Sequence, residues 1–298
     1  MENGTTLLFD WNNLAFRTAF AKDVGMATPE PDYQIWKYLT FNSIYQSLFK
    51  VKNVKEVVIA IDDSDPWRRV YFPRYKESRS KNRKKKTEID FKQLYDNIFS
   101  FSHDIKENIP FKVILSSRAE ADDVIGVLAR HIKNPCTIIS NDEDFKQLLT
   151  EKRIKIYNSM KQAYVECDDP KAFIITKCLT GQAKDDIFNV KTPDHWGKTP
   201  ETEGKRKPGF GPKSAEKVML IGYEKWLKEN KLEDNFKRNR ILMDFDYIPQ
   251  PIKINITKQY DSYEYPNADN IYKFMKDNHF RGFLEDFNNV ENKLLQLY

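Results

Sequence analysis

The chain has 298 residues, 40% of them hydrophobic and 31% charged, enough for a sizeable core in one large domain or in a domain with a smaller module. No apolar run nears the ~20 residues of a membrane-spanning helix, and the start MENGTTLLFD is acidic and enters a strand at once, unlike a signal peptide. Net charge is +5, but residues 68–86 carry ten Lys or Arg against one Glu, so the remainder is slightly acidic at −4; such a concentrated basic segment points to a local polyanion contact.

Along the chain, short β-rich runs alternate with helical patterns. Strands are expected at residues 5–10, 55–62, 111–116 and 137–140, with a further one at 154–157. Runs such as VVIAI are continuously apolar, as in a parallel sheet covered on both faces. Helices are expected at 34–49, 92–109 and 121–133, and this β-then-α order implies an α/β fold with a central, mostly parallel sheet. In the third helix Ala121, Val124, Ile125, Leu128 and Ile132 share one face, and Ser117 and Glu120 have capping-box spacing before it. A helix at 170–179 has Asp169 as N-cap and Gly181 beyond its end. Residues 191–208, rich in Pro, Gly and charge, read as a loop, followed by helices at 212–221 and 224–243. A module boundary is placed near residue 181, giving units of 1–180 and 181–298.

Cys136, Cys167 and Cys178 are scattered, which suggests a reducing compartment. His103, His131, His195 and His279 are equally dispersed. Any metal must therefore be held by carboxylates, which favours Mg²⁺ or Mn²⁺ over Zn²⁺. The carboxylates concentrate after the strands, where open parallel sheets bind ligands. Asp10 ends the first strand, and Asp62 and Asp63 end the second. Glu120, Asp122 and Asp123 follow the third, and Asp142 and Asp144 the fourth. Asp185 and Asp186 lie after the Asp169-capped helix. Each alone could be a helix cap or a turn residue. Together, with no Lys among them, they would repel strongly unless divalent cations neutralised them. Two ions about 3.5–4 Å apart are a standard arrangement for phosphodiester hydrolysis. Asp244 and Asp246 lie away from any strand end and read as surface residues.

Two further segments carry chemistry. WRRVYFPRYKESRSKNRKKK interleaves Trp67, Tyr71, Phe72 and Tyr75 with cations, a composition suited to phosphates and unpaired bases. Residues 81–86 alone read as a solvated loop. The run GFGPKSA, from Gly209 through Gly211, Lys213 and Ser214 to Ala215, enters a helix with Pro212 at its first position. Its backbone N–H groups can hold a phosphate, and Lys205, Arg206, Lys207, Lys213 and Lys217 surround it.

AEADDVIGVLAR and ISNDEDFKQLL resemble the signature blocks of the flap endonuclease family, which includes the 5′ nuclease domains of bacterial DNA polymerases. NRILMDFDYIP and the overall length resemble the ribonuclease H branch of that family from T-even bacteriophages, and the likeness covers nearly the whole chain. The resemblance implies a PIN-like 5′ nuclease fold with a helical arch at about residues 66–95 and a C-terminal helix-hairpin-helix module. It implies metal-ligand roles for Asp10, Asp62, Glu120, Asp122, Asp142, Asp144 and Asp185, with Asp123 a ligand or near neighbour, and two Mg²⁺ ions for which Mn²⁺ can substitute. It gives Lys76 and Arg79 the scissile phosphate, with Arg69 and Tyr75 as weaker candidates. Gly209, Gly211, Lys213 and Ser214 would grip duplex backbone. The implied activity is 5′-3′ exonuclease, flap endonuclease and RNase H action by a monomer in the host bacterium's cytoplasm. Its substrates would be DNA and RNA–DNA hybrid, and its role the removal of primers and flaps during lagging-strand replication. Partners such as a single-strand-binding protein or sliding clamp follow from that role. One departure stands out: the family's Gly-Asp-x-x-Asp-Asn reads Gly181-Gln182-Ala183-Lys184-Asp185-Asp186 here, which weakens one metal position or leaves Asp186 to compensate. The alternatives are a PIN-type ribonuclease, which would not need the glycine hairpin, and a non-catalytic junction-binding factor, which Gln182 alone supports.

Overall fold

The computed structural model describes residues 4–26, 28, 30–84 and 88–297; Lys85 and Lys86, at the end of the basic run, lie outside them. Strands β1 (Thr5–Asp10), β2 (Val54–Ile61), β3 (Lys112–Leu115), β4 (Cys136–Ile139), β5 (Ile154–Asn158) and β6 (Ala163–Tyr164) form one sheet in the order β3-β2-β1-β4-β5-β6. All neighbours are parallel except β5 and β6. The five expected strands are present, each within one residue at either end. Helices α1 (Trp11–Ala19) and α2 (Tyr33–Lys50) follow β1. Helices α3 (Trp67–Tyr71), α4 (Glu77–Lys84) and α5 (Phe91–Asn108) join β2 to β3, α6 (Ala121–His131) joins β3 to β4, and α7 (Pro170–Thr180) follows the sheet. Beyond it come α8 (Pro212–Ile221), α9 (Tyr223–Glu229), α10 (Glu233–Met243), α11 (Gln250–Asp261), α12 (Asn270–Asp277), α13 (Arg281–Glu285) and α14 (Phe287–Leu295).

The apolar strands are buried on both faces, and successive side chains feed two different cores. Leu7, Phe9, Val57 and Ile59 join α2 and α5 in one core, where Trp36, Phe41 and Phe101 are fully buried. Leu8, Val58 and Ala60 join the predicted α6 face, Ala121, Val124, Ile125, Leu128 and Ile132, in the other. The chain's last third returns to both cores. Phe274, Met275, Phe280 and Leu294 complete the first, and Phe245, Ile252 and Ile256 the second. Two smaller cores lie beside the sheet. One gathers Phe72, Tyr75, Ile174, Cys178 and Met243; the other gathers Leu179, Val190, Phe210, Val218 and Leu227.

Several local expectations change. The helix expected at 224–243 is two helices, broken where Lys231 adopts a left-handed φ of 56°. The capping box before α6 is formed by Glu120 and Asp123, not by Ser117 and Glu120. Asp169 caps α7 as expected, its carboxylate accepting from the Ala172 N–H at 2.9 Å.

Candidate active site

The order of strand addition reverses between β1 and β4, parallel neighbours at the centre of the sheet, and their C-terminal ends open a crevice there. Asp10 ends β1 and caps α1, its carboxylate accepting from the Asn13 N–H at 3.0 Å. Asp62 follows β2 and accepts from the Ala121 N–H at 2.7 Å, which ties it to the start of α6. Asp122 stands in the first turn of α6. Asp142 follows β4 and accepts from the Asp144 N–H at 3.0 Å. Asp10, Asp62, Asp122, Asp142 and Asp185 all line one cleft of about 590 Å³, together with Lys76, Arg79 and Lys184. A second cleft of about 570 Å³ adjoins it, sharing Asp62, Lys76 and Arg79 and adding Arg69 and Glu120.

The expectation that no Lys pairs with these acids is corrected by the structure. Lys76 Nζ lies 2.5 Å from Glu120 and 4.0 Å from Asp185. Lys184 lies 2.6 Å from Asp142, Lys177 pairs with Asp144, and Arg79 pairs with Asp185. These cations come from elements distant in sequence, so carboxylate spacing could not reveal them. Among the described residues, no three His, Cys, Asp or Glu side chains close on a common metal position.

The electrostatics divide the cluster. Burial, and then Asp62, push the Asp10 carboxyl up to about 7. Asp62 is raised by burial and by Glu120, and Asp122 is raised well above the usual carboxylate range by burial and then by Asp10 and Asp142. Burial also works to raise Glu120, but Lys76 and Arg68 outweigh it and hold that carboxyl down to about 2. Likewise Asp144 is held low by Lys177 and Lys184 against its burial. Asp10, Asp62 and Asp122 are thus pushed toward the neutral form, and among the described residues none of them has a Lys or Arg ion-pair partner. All the acidic donors are oxygens and no Cys or His lines the cleft, a donor set that fits a hard divalent cation.

Asp123 is the near neighbour rather than a cleft residue. It is fully buried and receives Arg68 Nη1 at 2.8 Å, Arg68 Nη2 at 2.7 Å and Trp67 Nε1 at 3.0 Å. Arg68 also reaches Glu120 at 2.9 Å and donates from Nε to the Leu242 carbonyl at 2.7 Å. Arg68→Ala would leave Asp123 buried without its partner and lower stability by about 3–5 kcal/mol. Denaturant unfolding checks this, and a midpoint equal to wild type would refute it.

Tyr75, expected at the nucleic acid, is only 6% exposed, and its hydroxyl donates to Glu120 at 2.8 Å. Its ring sits in a core with Phe72 and Ile174, so it positions Glu120 and offers no face to a base. Trp67 and Phe72 are buried too, which leaves Tyr71 as the exposed aromatic of the four. Alternating aromatics and cations describe a half-buried helix as well as a stacking surface.

Asp185 is placed by a tight loop. Gln182 and Ile187 bridge each other's backbones, and Asp186 takes a left-handed φ of 58°. Gly181 permits the close approach: its φ is 70°, and a Cβ there would lie 2.5 Å from the Ile187 oxygen. The loop docks on the basic segment. The Lys76 N–H donates to the Asp185 carbonyl at 3.0 Å and the Ser78 N–H to the Asp186 carboxylate at 2.7 Å. The Asp186 carboxylate is thus engaged by the start of α4, which leaves the weakened metal position as the better supported of the two alternatives for Gln182.

The glycine hairpin is anchored by Phe210, which is buried with its ring centroid 5.4 Å from that of Trp226. Gly209, Gly211, Lys213 and Ser214 are exposed, and a Cβ at either glycine would meet nothing within 4 Å. Asp244 stands apart from the cleft as expected, but it is buried rather than on the surface: it caps the turn Phe245–Tyr247 and pairs with Arg240 at 2.7 Å. Asp246 is exposed and pairs with Arg130 at 3.0 Å. Sequence reasoning missed the aromatic lining of the cleft by Phe16, Phe20, Phe91 and Tyr95. A faint signal existed: Phe16 and Phe20, four apart, lie off the buried face of α1 made by Trp11, Leu14, Ala15 and Thr18.

Residues 5–176 match the model of the 5′-3′ exonuclease N-terminal resolvase-like domain, and residues 168–290 match the C-terminal domain of phage T4 RNase H. The chain is 30% identical over 279 residues to ribonuclease H of Enterobacteria phage T4, covering 90% of each. It is 29% identical over 165 residues to a 5′-3′ exonuclease of Buchnera aphidicola, covering 51% of this chain and 54% of that protein. Among solved structures it resembles a bacteriophage T5 flap endonuclease in complex with DNA and metal ions, with a TM-score of 0.59 and 19% identity over 92% of this chain and 97% of that one.

Proposed function

Because the chain belongs to the 5′-3′ exonuclease family, with the C-terminal domain of its phage T4 RNase H branch, and is therefore a nuclease, we propose that it is a divalent-metal-dependent 5′ nuclease. It removes RNA primers and 5′ flaps during phage lagging-strand replication, in the cytoplasm of the host bacterium. The observation that carries this reading is the juxtaposition of under-neutralised carboxylates with Lys76 and Arg79 in one cleft. Asp10, Asp62, Glu120, Asp122, Asp142, Asp144 and Asp185 would hold Mg²⁺, with Mn²⁺ able to substitute. When bound, the metal supplies Lewis-acid stabilisation and a more acidic water. Lys76 and Arg79 present cationic donors to the scissile phosphate, where charge develops. Arg69, on the rim of the adjoining cleft, holds a flanking phosphate.

The division of labour proposed is a nuclease unit of residues 1–180 and a duplex-binding unit within 181–298. Gly209, Gly211, Lys213 and Ser214 offer open backbone and charge to a duplex phosphate. The 5′ strand enters beneath the segment carrying α3 and α4, and cleavage leaves a 5′-phosphate on the downstream product. Protein partners such as a single-strand-binding protein or sliding clamp follow from the role.

The test is release of label from a 5′-flap DNA and from an RNA–DNA hybrid, with Mg²⁺, Mn²⁺ or chelator. Metal-dependent release from both is expected. Tight binding to the flap without cleavage in either metal would sink the enzymatic reading. Cleavage confined to single-stranded RNA would favour a PIN-type ribonuclease.

A further inference from the structure

Charge in the acidic cleft is distributed unevenly. Among the described residues, Asp10, Asp62 and Asp122 have no Lys or Arg nitrogen within the 4.0 Å of an ion pair. Asp144, which adjoins the cleft through the Lys184 it shares with Asp142, is the opposite case, because both its oxygens are taken by donors of the chain itself. Lys177 Nζ pairs with Oδ1. The Gln182 side-chain amide donates to Oδ2 at 2.8 Å, and Lys184 Nζ lies 3.6 Å from the same oxygen. The two lysines differ in their freedom. Lys184 is half exposed and can swing into solvent. Lys177 is only 20% exposed, rises from the last turn of α7, and lies over the Phe173 ring at 5.8 Å. Gln182 is also held, because its backbone is bridged to Ile187 in both directions.

We propose that Lys177, with Gln182 as its neutral partner, stands in for a divalent cation on the Asp144 side of the cleft. The chain then binds one divalent ion tightly, on the side of Asp10, Asp62, Asp122 and Asp142, and a second one weakly. The chemistry is that of competing cations. An ammonium group neutralises Asp144 and occupies one of its oxygens, so a second ion must first expel it. Gln182 supplies a neutral amide where a carboxylate would add charge, and carboxylate sites tune their affinity by the number of charged ligands. The pairing of Gln182 with Lys177 is self-consistent, because an Asp at 182 would face Asp144 with like charge and call for an added cation. The proposal rests on the metal-nuclease reading above but concerns only how many ions are held and how tightly.

The experiment is a titration of the full chain with Mn²⁺, following the free-ion signal by electron paramagnetic resonance. Wild type should bind one ion tightly and a second roughly 10–100-fold more weakly, the scale by which groups around a metal's ligands alter affinity. Lys177→Met/Gln182→Asp should tighten the second ion by a similar factor and leave the first unchanged. If that double variant does not fold, Gln182→Asp alone should still tighten the second ion. Two ions of equal affinity in wild type, or an unchanged second ion in the folded variants, would overturn the proposal while flap cleavage and the first ion survive. No tight ion at all, together with no cleavage, would bring down the metal-nuclease reading and this proposal with it.

Discussion

Lys76→Ala should lower the turnover of a 5′-flap substrate by roughly 10²–10³-fold, the effect of removing one donor aimed at developing charge, while duplex binding is nearly unchanged. Lys76 lines both clefts, which places it between the acidic cleft and the one beside it. Its backbone is fixed as firmly as its side chain: φ is 56°, and its N–H donates to the Asp185 carbonyl at 3.0 Å. The ammonium is one of three side-chain donors to Glu120. Without it, Glu120 still receives Arg68 at 2.9 Å and the Tyr75 hydroxyl at 2.8 Å, so the melting temperature should shift little. Duplex affinity should also persist, because the exposed hairpin of Gly209, Gly211 and Lys213 is a separate surface from the cleft. Single-turnover cleavage alongside binding of the same labelled flap measures the two effects. Normal turnover would remove Lys76 from the mechanism, and a parallel loss of affinity would make it a binding residue only.

The parts of this site that were legible in the sequence are those written locally. Each of Asp10, Asp62 and Asp142 stands just after an apolar run, and the parallel sheet brings those run ends to one edge whatever the rest of the chain does. Asp169 and Gly181 bracket α7 by cap chemistry alone. The illegible parts depend on which distant side chains meet. Lys177 and Asp144 are 33 positions apart, and Arg68 and Asp123 are 55 apart; no spacing rule links such pairs. Tyr75 shows how composition misleads. A segment that alternates aromatics and cations can stack on bases, but it can equally bury its rings against α7 and turn its cations toward the acids. Here the fold takes the second course, with Tyr75, Ile174 and Cys178 in one core. The same two-sidedness explains why Asp244 could be set apart from the site for the right reason, its distance from any strand end, and still be misplaced on the surface.

Asp10→Asn should abolish most cleavage and yet stabilise the metal-free protein. On the proposed metal-binding role of Asp10, a loss of activity by roughly 10²–10³-fold is expected. The gain in stability follows from the charge imbalance. Burial and Asp62 push the Asp10 carboxyl up to about 7 from an ordinary 3.8, so the folded chain holds this proton more tightly than the unfolded chain does. The sign is then fixed: the stability linked to that proton is fully present below about pH 4 and is lost as pH rises through about 7. Asparagine does not titrate and keeps the α1 cap, because its amide oxygen can accept from the Asn13 N–H as Asp10 does at 3.0 Å. Wild type and variant should therefore have similar stability near pH 4. They should diverge in the variant's favour by about 1–3 kcal/mol at pH 8, a range set below the full shift because Asp10, Asp62 and Asp122 share their charge. Mg²⁺ should narrow the gap by binding the ionised wild-type cluster. Thermal unfolding of both proteins in chelator from pH 4 to 8, repeated with Mg²⁺, tests all of this. A variant that is less stable than wild type at pH 8 without metal would show that the acidic cleft is neutralised from within, and that its need for an external cation has been overestimated.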